Sequence, residues 1–187
     1  MTDLLSIAPV IVNGRGNRTA ALLNNKERYF VTFTEPANCL WPPSNFDKDE
    51  TANRMCIHFE PTDELRSFFL EFDQWAVNYL TEHSERLLGK KMSQEQIESG
   101  YHSCLKENNK GCKFKICMPN APTPTRFWDD DGEQLPFPTH WNGSFRLRLK
   151  ISHLWQMSSG KDKSFGFVII CEDLCPQMQV AASPWAR

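Results

Sequence analysis

Ser144-Phe145-Arg146-Leu147-Arg148-Leu149-Lys150-Ile151 alternates apolar with basic side chains over its whole length. A period of two is the mark of a strand, because successive side chains point to opposite faces. Phe145, Leu147, Leu149 and Ile151 therefore form one greasy face, and Arg146, Arg148 and Lys150 form a positive one. Ser158-Ser159-Gly160-Lys161-Asp162-Lys163 reads as a turn, and Ser164 to Cys171 as a closing hydrophobic strand. The pair is a β-hairpin with Lys161 and Lys163 near its tip.

Upstream of this hairpin, Cys112 to Met118 reads as a strand on which Lys113 and Lys115 share a face. Pro119 to Thr125 is a proline-rich loop, and Phe127-Trp128 is a short strand running into the acidic turn Asp129-Asp130-Asp131-Gly132-Glu133. Nearer the N-terminus, Ser6 to Val12 is a short apolar run. Asn13-Gly14-Arg15-Gly16-Asn17 is a turn, Arg28 to Thr34 and Arg54 to Phe59 read as strands, and Glu35 to Asn53 reads as a loop.

Between these β segments the period changes. Leu65, Phe68, Phe69, Phe72, Ala76, Tyr79 and Leu80 recur at intervals of three and four, which predicts an amphipathic helix. Thr62 caps it, Asp63 and Glu64 suit its first turn, and Gly89 stops it. Ser93-Gln94-Glu95-Gln96 is a capping box for a second helix whose inner face is Ile97, Tyr101 and Leu105. Short strands interrupted by one helical excursion predict an α+β chain, mainly β, on a small barrel or strongly bent sheet.

The chain has 187 residues, with 21 Lys and Arg against 23 Asp and Glu, a net charge of −2. That balance excludes a binder relying on global positive charge, so any affinity for a polyanion must come from segregation. Segregation is visible. Glu60 to Glu107 holds ten acids and five bases, whereas Gly143 to Lys163 holds five bases and one acid. Met1 to Val12 has no basic leader, and no window approaches the roughly 18 apolar residues of a membrane span. The expectation is a soluble, intracellular chain with no membrane partner.

Seven cysteines at irregular spacing do not make a secreted disulfide framework. Cys112 and Cys117, five apart on a strand, point to opposite faces and are not placed to share a zinc ion. No phosphate-cradling glycine loop, His-Glu-x-x-His run or nucleophile elbow is present. The five histidines are scattered, and Asp129 to Asp131 read as an exposed turn. The expectation is a protein that is not an enzyme and needs no cofactor or metal.

Single-stranded nucleic acid demands cations to follow the phosphates and aromatic faces for the bases. Lys113, Lys115, Arg146, Arg148, Lys150, Lys161 and Lys163 supply the first, and Phe127, Trp128, Trp141 and Trp155 lie near them in sequence. The same alternation also describes the solvated face of an ordinary half-buried sheet. Trp75 belongs to the helix core, while Trp41 and Trp185 fall in loop and tail, where either role is open.

The stretch Phe72-Asp73-Gln74-Trp75, Ser84-Glu85-Arg86-Leu87-Leu88-Gly89-Lys90-Lys91-Met92-Ser93, Tyr101 and Lys113-Phe114-Lys115-Ile116, with the basic-apolar strand ending at Trp155, resembles a viral family. It is that of the single-stranded DNA-binding proteins of nucleocytoplasmic large DNA viruses, distantly related to helix-destabilising proteins of short-tailed bacteriophages. The likeness spans roughly Ile57 to Glu172. It implies one OB-fold-like antiparallel barrel over 1–187, with a helical insertion at about 62–107 and a tail at about 176–187. It also implies sequence-independent binding of single-stranded DNA in replication, repair or recombination, in the nucleus or cytoplasm of an infected cell. Lys113, Lys115, Arg146, Arg148 and Lys150 would then be backbone contacts and Trp155 a stacking residue. Replication proteins and a second copy of the chain are candidate further partners. Phage members recruit partners through an acidic tail, and Ser183-Pro184-Trp185-Ala186-Arg187 is not acidic. The alternative reading is a viral structural or protein-interaction module.

Overall fold

The structure, a computed structural model, describes residues 4–45, 51–105, 111–157 and 164–177. In chain order the strands before the helices are β1 (Leu5–Ile7), β2 (Ile11–Val12), β3 (Arg18–Asn24), β4 (Glu27–Thr32), β5 (Ala37–Ser44) and β6 (Arg54–Phe59). Helices α1 (Asp63–Glu82), α2 (Ser84–Leu88) and α3 (Gln94–Gly100) follow. The chain then returns to strand in β7 (Tyr101–His102), β8 (Cys112–Cys117), β9 (Arg126–Trp128), β10 (Gln134–Leu135), β11 (Ser144–Met157) and β12 (Ser164–Gln177).

The hairpin of β11 and β12 is the spine of the sheet. One edge of β11 is shared in turn by β3, β4 and β5. The far edge of β12 is shared by β7, β8 and β9, all parallel to it. Antiparallel pairing of β5 with β6 and of β6 with β8 completes a circuit of five strands: β5, β6, β8, β12 and β11. The sheet as a whole stays open at β1 and β10. It is therefore mixed, with the circuit inside it, where the sequence predicts an antiparallel barrel. The long connection from β7, β8 and β9 through β11 to β12 is what allows those strands to lie parallel to β12.

Each strand keeps its alternation. Ile57, Phe59, Phe114, Ile116, Phe145, Leu147, Leu149 and Ile151 are buried on the core side. The stripe of α1 packs there, with ring centroids of Phe69 and Phe114 5.6 Å apart and those of Phe72 and Phe167 5.2 Å apart. Thr62 caps α1 by accepting the Leu65 amide at 3.2 Å. Gly89, at φ 73°, ends α2 in the left-handed conformation that favours glycine.

Several boundaries differ from the sequence reading. The helix expected to reach Gly89 breaks at His83 into α1 and α2. The second helix stops at Gly100, and Tyr101 and His102 pair with Phe165 and Gly166, so tertiary pairing overrides helical spacing there. Among the described residues the helices occupy 63–100. Residues 37–44, read as loop, form β5. Pro42 and Pro43 fall where its register with β6 is irregular and no ladder donor is needed. The unassigned β3 joins β4 through Asn25 and Lys26, both at positive φ, a two-residue hairpin turn. β12 runs past Cys171 to Gln177 because a bulge absorbs Glu172.

Candidate nucleic-acid interface

With α1 on the core side, the polar positions of the strands lie together on the opposite face. Strand register sets them in rows. Trp155 opposes Gly166, which opposes His102. In the next row His58 opposes Lys113. In the third, Lys150 opposes Ile170, Ile170 opposes Lys115, and Lys115 opposes Cys56. Where β7 has left β12 and β8 has not yet joined it, a cleft of about 460 Å³ opens, lined by His102, Ser103, Lys113, Lys115, Trp155 and Met157 among others.

This cleft has built walls. The Trp155 ring lies 5.8 Å from that of His102, tilted by 30°. Gly166 makes that possible, since a Cβ there would sit 2.7 Å from the His102 carbonyl oxygen and 3.4 Å from the indole. His102 is held from both sides. Tyr101 Oη donates to Asp73 Oδ1 at 2.6 Å, and Ser103 Oγ donates to Asp73 Oδ2. Burial, then the neighbouring Asp73 carboxylate, pushes the Tyr101 hydroxyl well above the ordinary tyrosine value, so it stays a donor. Lys115 Nζ donates to Cys56 Sγ at 3.1 Å. Among the described residues no carboxylate lies within ion-pair distance of Lys113 or Lys115.

Further along β11 the cations are partnered. Asp173, nearly buried, accepts Arg126 Nε at 2.7 Å, Arg148 Nη1 at 3.0 Å and Trp128 Nε1 at 2.8 Å. Arg148 also lies 4.8 Å from the centre of the Phe30 ring. Arg146 pairs with Asp130, and Lys150 with Glu172 at 3.3 Å. A smaller hollow of about 180 Å³ lies among Trp128, Arg146, Arg148 and Asp173. Asp129 is engaged within its own turn, its Oδ1 accepting the amides of Asp131 and Glu133.

The fold has distant likenesses among solved structures. The single-stranded DNA-binding protein from bacteriophage Enc34 is 12 % identical, covering 91 % of this chain and 89 % of that one, at a TM-score of 0.45. Its C-terminally truncated form is 11 % identical over 97 % of this chain and 98 % of that one, at 0.47. The same phage protein in complex with single-stranded DNA is 11 % identical over 92 % and 95 %, also at 0.47. No protein-family model and no curated protein matches the chain. The similarity is thus to a phage single-stranded DNA-binding protein, not to the family of the large DNA viruses.

Of the residues singled out in the sequence, Lys113, Lys115 and Trp155 meet at one cleft. Arg146, Arg148 and Trp128 meet at the other hollow, with Lys150 between, and Lys161 and Lys163 lie outside the described residues. Arg54 and Arg126 join them on this face, where Asp130, Glu172 and Asp173 are the carboxylates paired with cations among the described residues. Three histidines that look scattered in sequence also gather here. Burial, then Lys113, lowers the pKa of His58; burial, then Arg54 and Lys150, lowers that of His153. Sequence reasoning missed His102 and Gly166 because β7 is two residues long and its place depends on β12. The buried thiols are poor nucleophiles and ligands as protonated groups. Burial raises Cys39 to about 11 and Cys112 to about 12, and raises Cys171 further still. No helix among the described residues is long and apolar enough to cross a membrane.

Proposed function

We propose that this chain is a non-enzymatic protein that binds single-stranded DNA with little sequence preference, serving replication, repair or recombination. The observation that carries the reading is the cleft at the β7–β12–β8 seam. It brings together a half-buried indole and two lysines that have no carboxylate within ion-pair distance among the described residues, the pairing of stacking platform and phosphate contact that single strands require. We read the five-strand circuit as an OB-type barrel with its helices inserted before β8. On that reading β6 and β8 are its second and third strands, whose outer face takes oligonucleotides in that fold. Trp155 supplies a face for any base, and Lys113 and Lys115 supply charge without reading a base edge, so sequence preference is low.

Titrating fluorescent single-stranded and duplex oligonucleotides at several salt concentrations tests the reading. Binding of single strands at micromolar concentration or tighter, weakening steeply as salt rises, is expected. Equal affinity for duplex, or no binding at low salt, would overturn it.

A further inference from the structure

Across the sheet from Trp155 stands a second aromatic surface. Trp41 opposes His58 in the β5–β6 pairing, and His58 opposes Lys113 in the next. Ile57 and Phe59 on either side of His58 are fully buried, so His58 and its partner Trp41 face outward. Trp41 is 58 % exposed. Its indole makes no ring contact and no hydrogen bond to the described residues. Its backbone is set in strand by pairing at His58, and Pro42 and Pro43 restrict the chain immediately after it. A large, mostly exposed ring is thus held on a strand in the same row as Lys113. His58 itself is half-buried, and its Nδ1 has no hydrogen-bond partner among the described residues.

We infer that Trp41 is a second base-stacking platform, and that a bound single strand crosses the sheet from Trp155 over Lys113 and His58 to Trp41. It does not follow β11 toward Arg148 and Arg146, whose guanidinium groups are already paired with Asp173 and Asp130. The inference rests on the single-strand reading of the cleft and specifies its path. Trp155 and Trp41 stand on β11 and β5, four inter-strand steps apart through β12, β8 and β6. At about 4.8 Å per step the path over the sheet is about 19 Å. That length corresponds to a stretch on the order of four nucleotides, the low end of what one OB-type fold engages.

The test compares wild type, Trp41→Ala, Trp155→Ala and Arg148→Ala with oligothymidylates of increasing length, from about 3 to about 12 bases. Thermal melts of each variant serve as the folding control; Trp41→Ala, at a mostly exposed position, should leave the melt nearly unchanged. The expected result is that Trp41→Ala weakens the longer oligomers about 5- to 150-fold, the loss of one stacked base. It should barely affect the shortest, which cannot span both rings, while Arg148→Ala changes little at any length. If wild type binds and Trp41→Ala binds equally well at every length, the path is wrong although the single-strand reading stands. If Arg148→Ala weakens binding more than Trp41→Ala does, the strand follows β11 and the inference is overturned. If wild type binds no oligomer, the single-strand reading itself falls.

Discussion

Lys113 and Arg148 look equivalent in sequence, each a basic residue alternating with core positions on a strand. The structure separates them. Lys113 has no carboxylate within ion-pair distance among the described residues, while Arg148 is tied to Asp173 and lies against Phe30. Replacing Lys113 with Ala should therefore weaken oligonucleotide binding several-fold and leave stability unchanged. Replacing Arg148 should do the reverse, lowering the urea midpoint more than the affinity. Gly166 is the other decisive residue. Alanine there would place a methyl group against the His102 carbonyl, and overpacking of this kind costs about 1–3 kcal/mol. Both lower thermal stability and weaker binding are expected for Gly166→Ala, and an unchanged melt would show that β7 can shift freely. The alternation that exposes Lys113, Lys115, Arg146, Arg148 and Lys150 was legible in the sequence. The ion pairs were not, because Asp173 reaches Arg148 only through the bulge at Glu172.

The elements follow the same division between local and long-range information. The stripe of α1, its Thr62 cap and the β11–β12 hairpin are written in period and turn chemistry, and the structure has them. β5 was hidden by its prolines, and β3 by a turn at Asn25-Lys26 without glycine. β7 was hidden by the helical spacing of Tyr101. What fixes β7 is Asp73 on α1, which accepts both Tyr101 and Ser103 and so clamps the strand that carries His102. Asp73→Asn replaces a carboxylate that accepts two hydroxyl donors with an amide able to accept at one oxygen. Hydrogen exchange at the amides of β7 should quicken by about tenfold for a loss of about 1.4 kcal/mol, with α1 protected as before. Equal protection in variant and wild type would show that the β12 pairing alone holds β7.

At the scale of the molecule, charge is sorted by the fold more than by the count. The region with the acidic surplus forms the helices, and Lys113, Lys115, Lys150, Arg54, Arg126, Arg146 and Arg148 gather on the outer face of the strands, so a net charge of −2 conceals a polarised surface. Two histidines on that face give it a pH signature. Their pKa values are lowered in the folded chain, so on acidification below about 6.5 the unfolded chain takes up protons first. Their contribution to stability is full above that pH and is lost as pH falls through the lowered folded values. Melting temperature should decline from pH 7 toward pH 5, and His58→Gln with His153→Gln should flatten that decline. A phosphate backbone held beside them would favour their charged forms, so bound DNA should offset part of the loss.

The central claim is that phosphates meet Lys113 and Lys115, and the salt dependence of binding tests it most directly. For single strands the slope of log K against log salt is about −0.7 per phosphate contact. The Lys113→Ala, Lys115→Ala double variant should therefore bind with a slope less negative than wild type by about 1.4. A slope equal to that of wild type, with the variant folded, would mean that the strand's phosphates lie elsewhere and that the cleft is not the site.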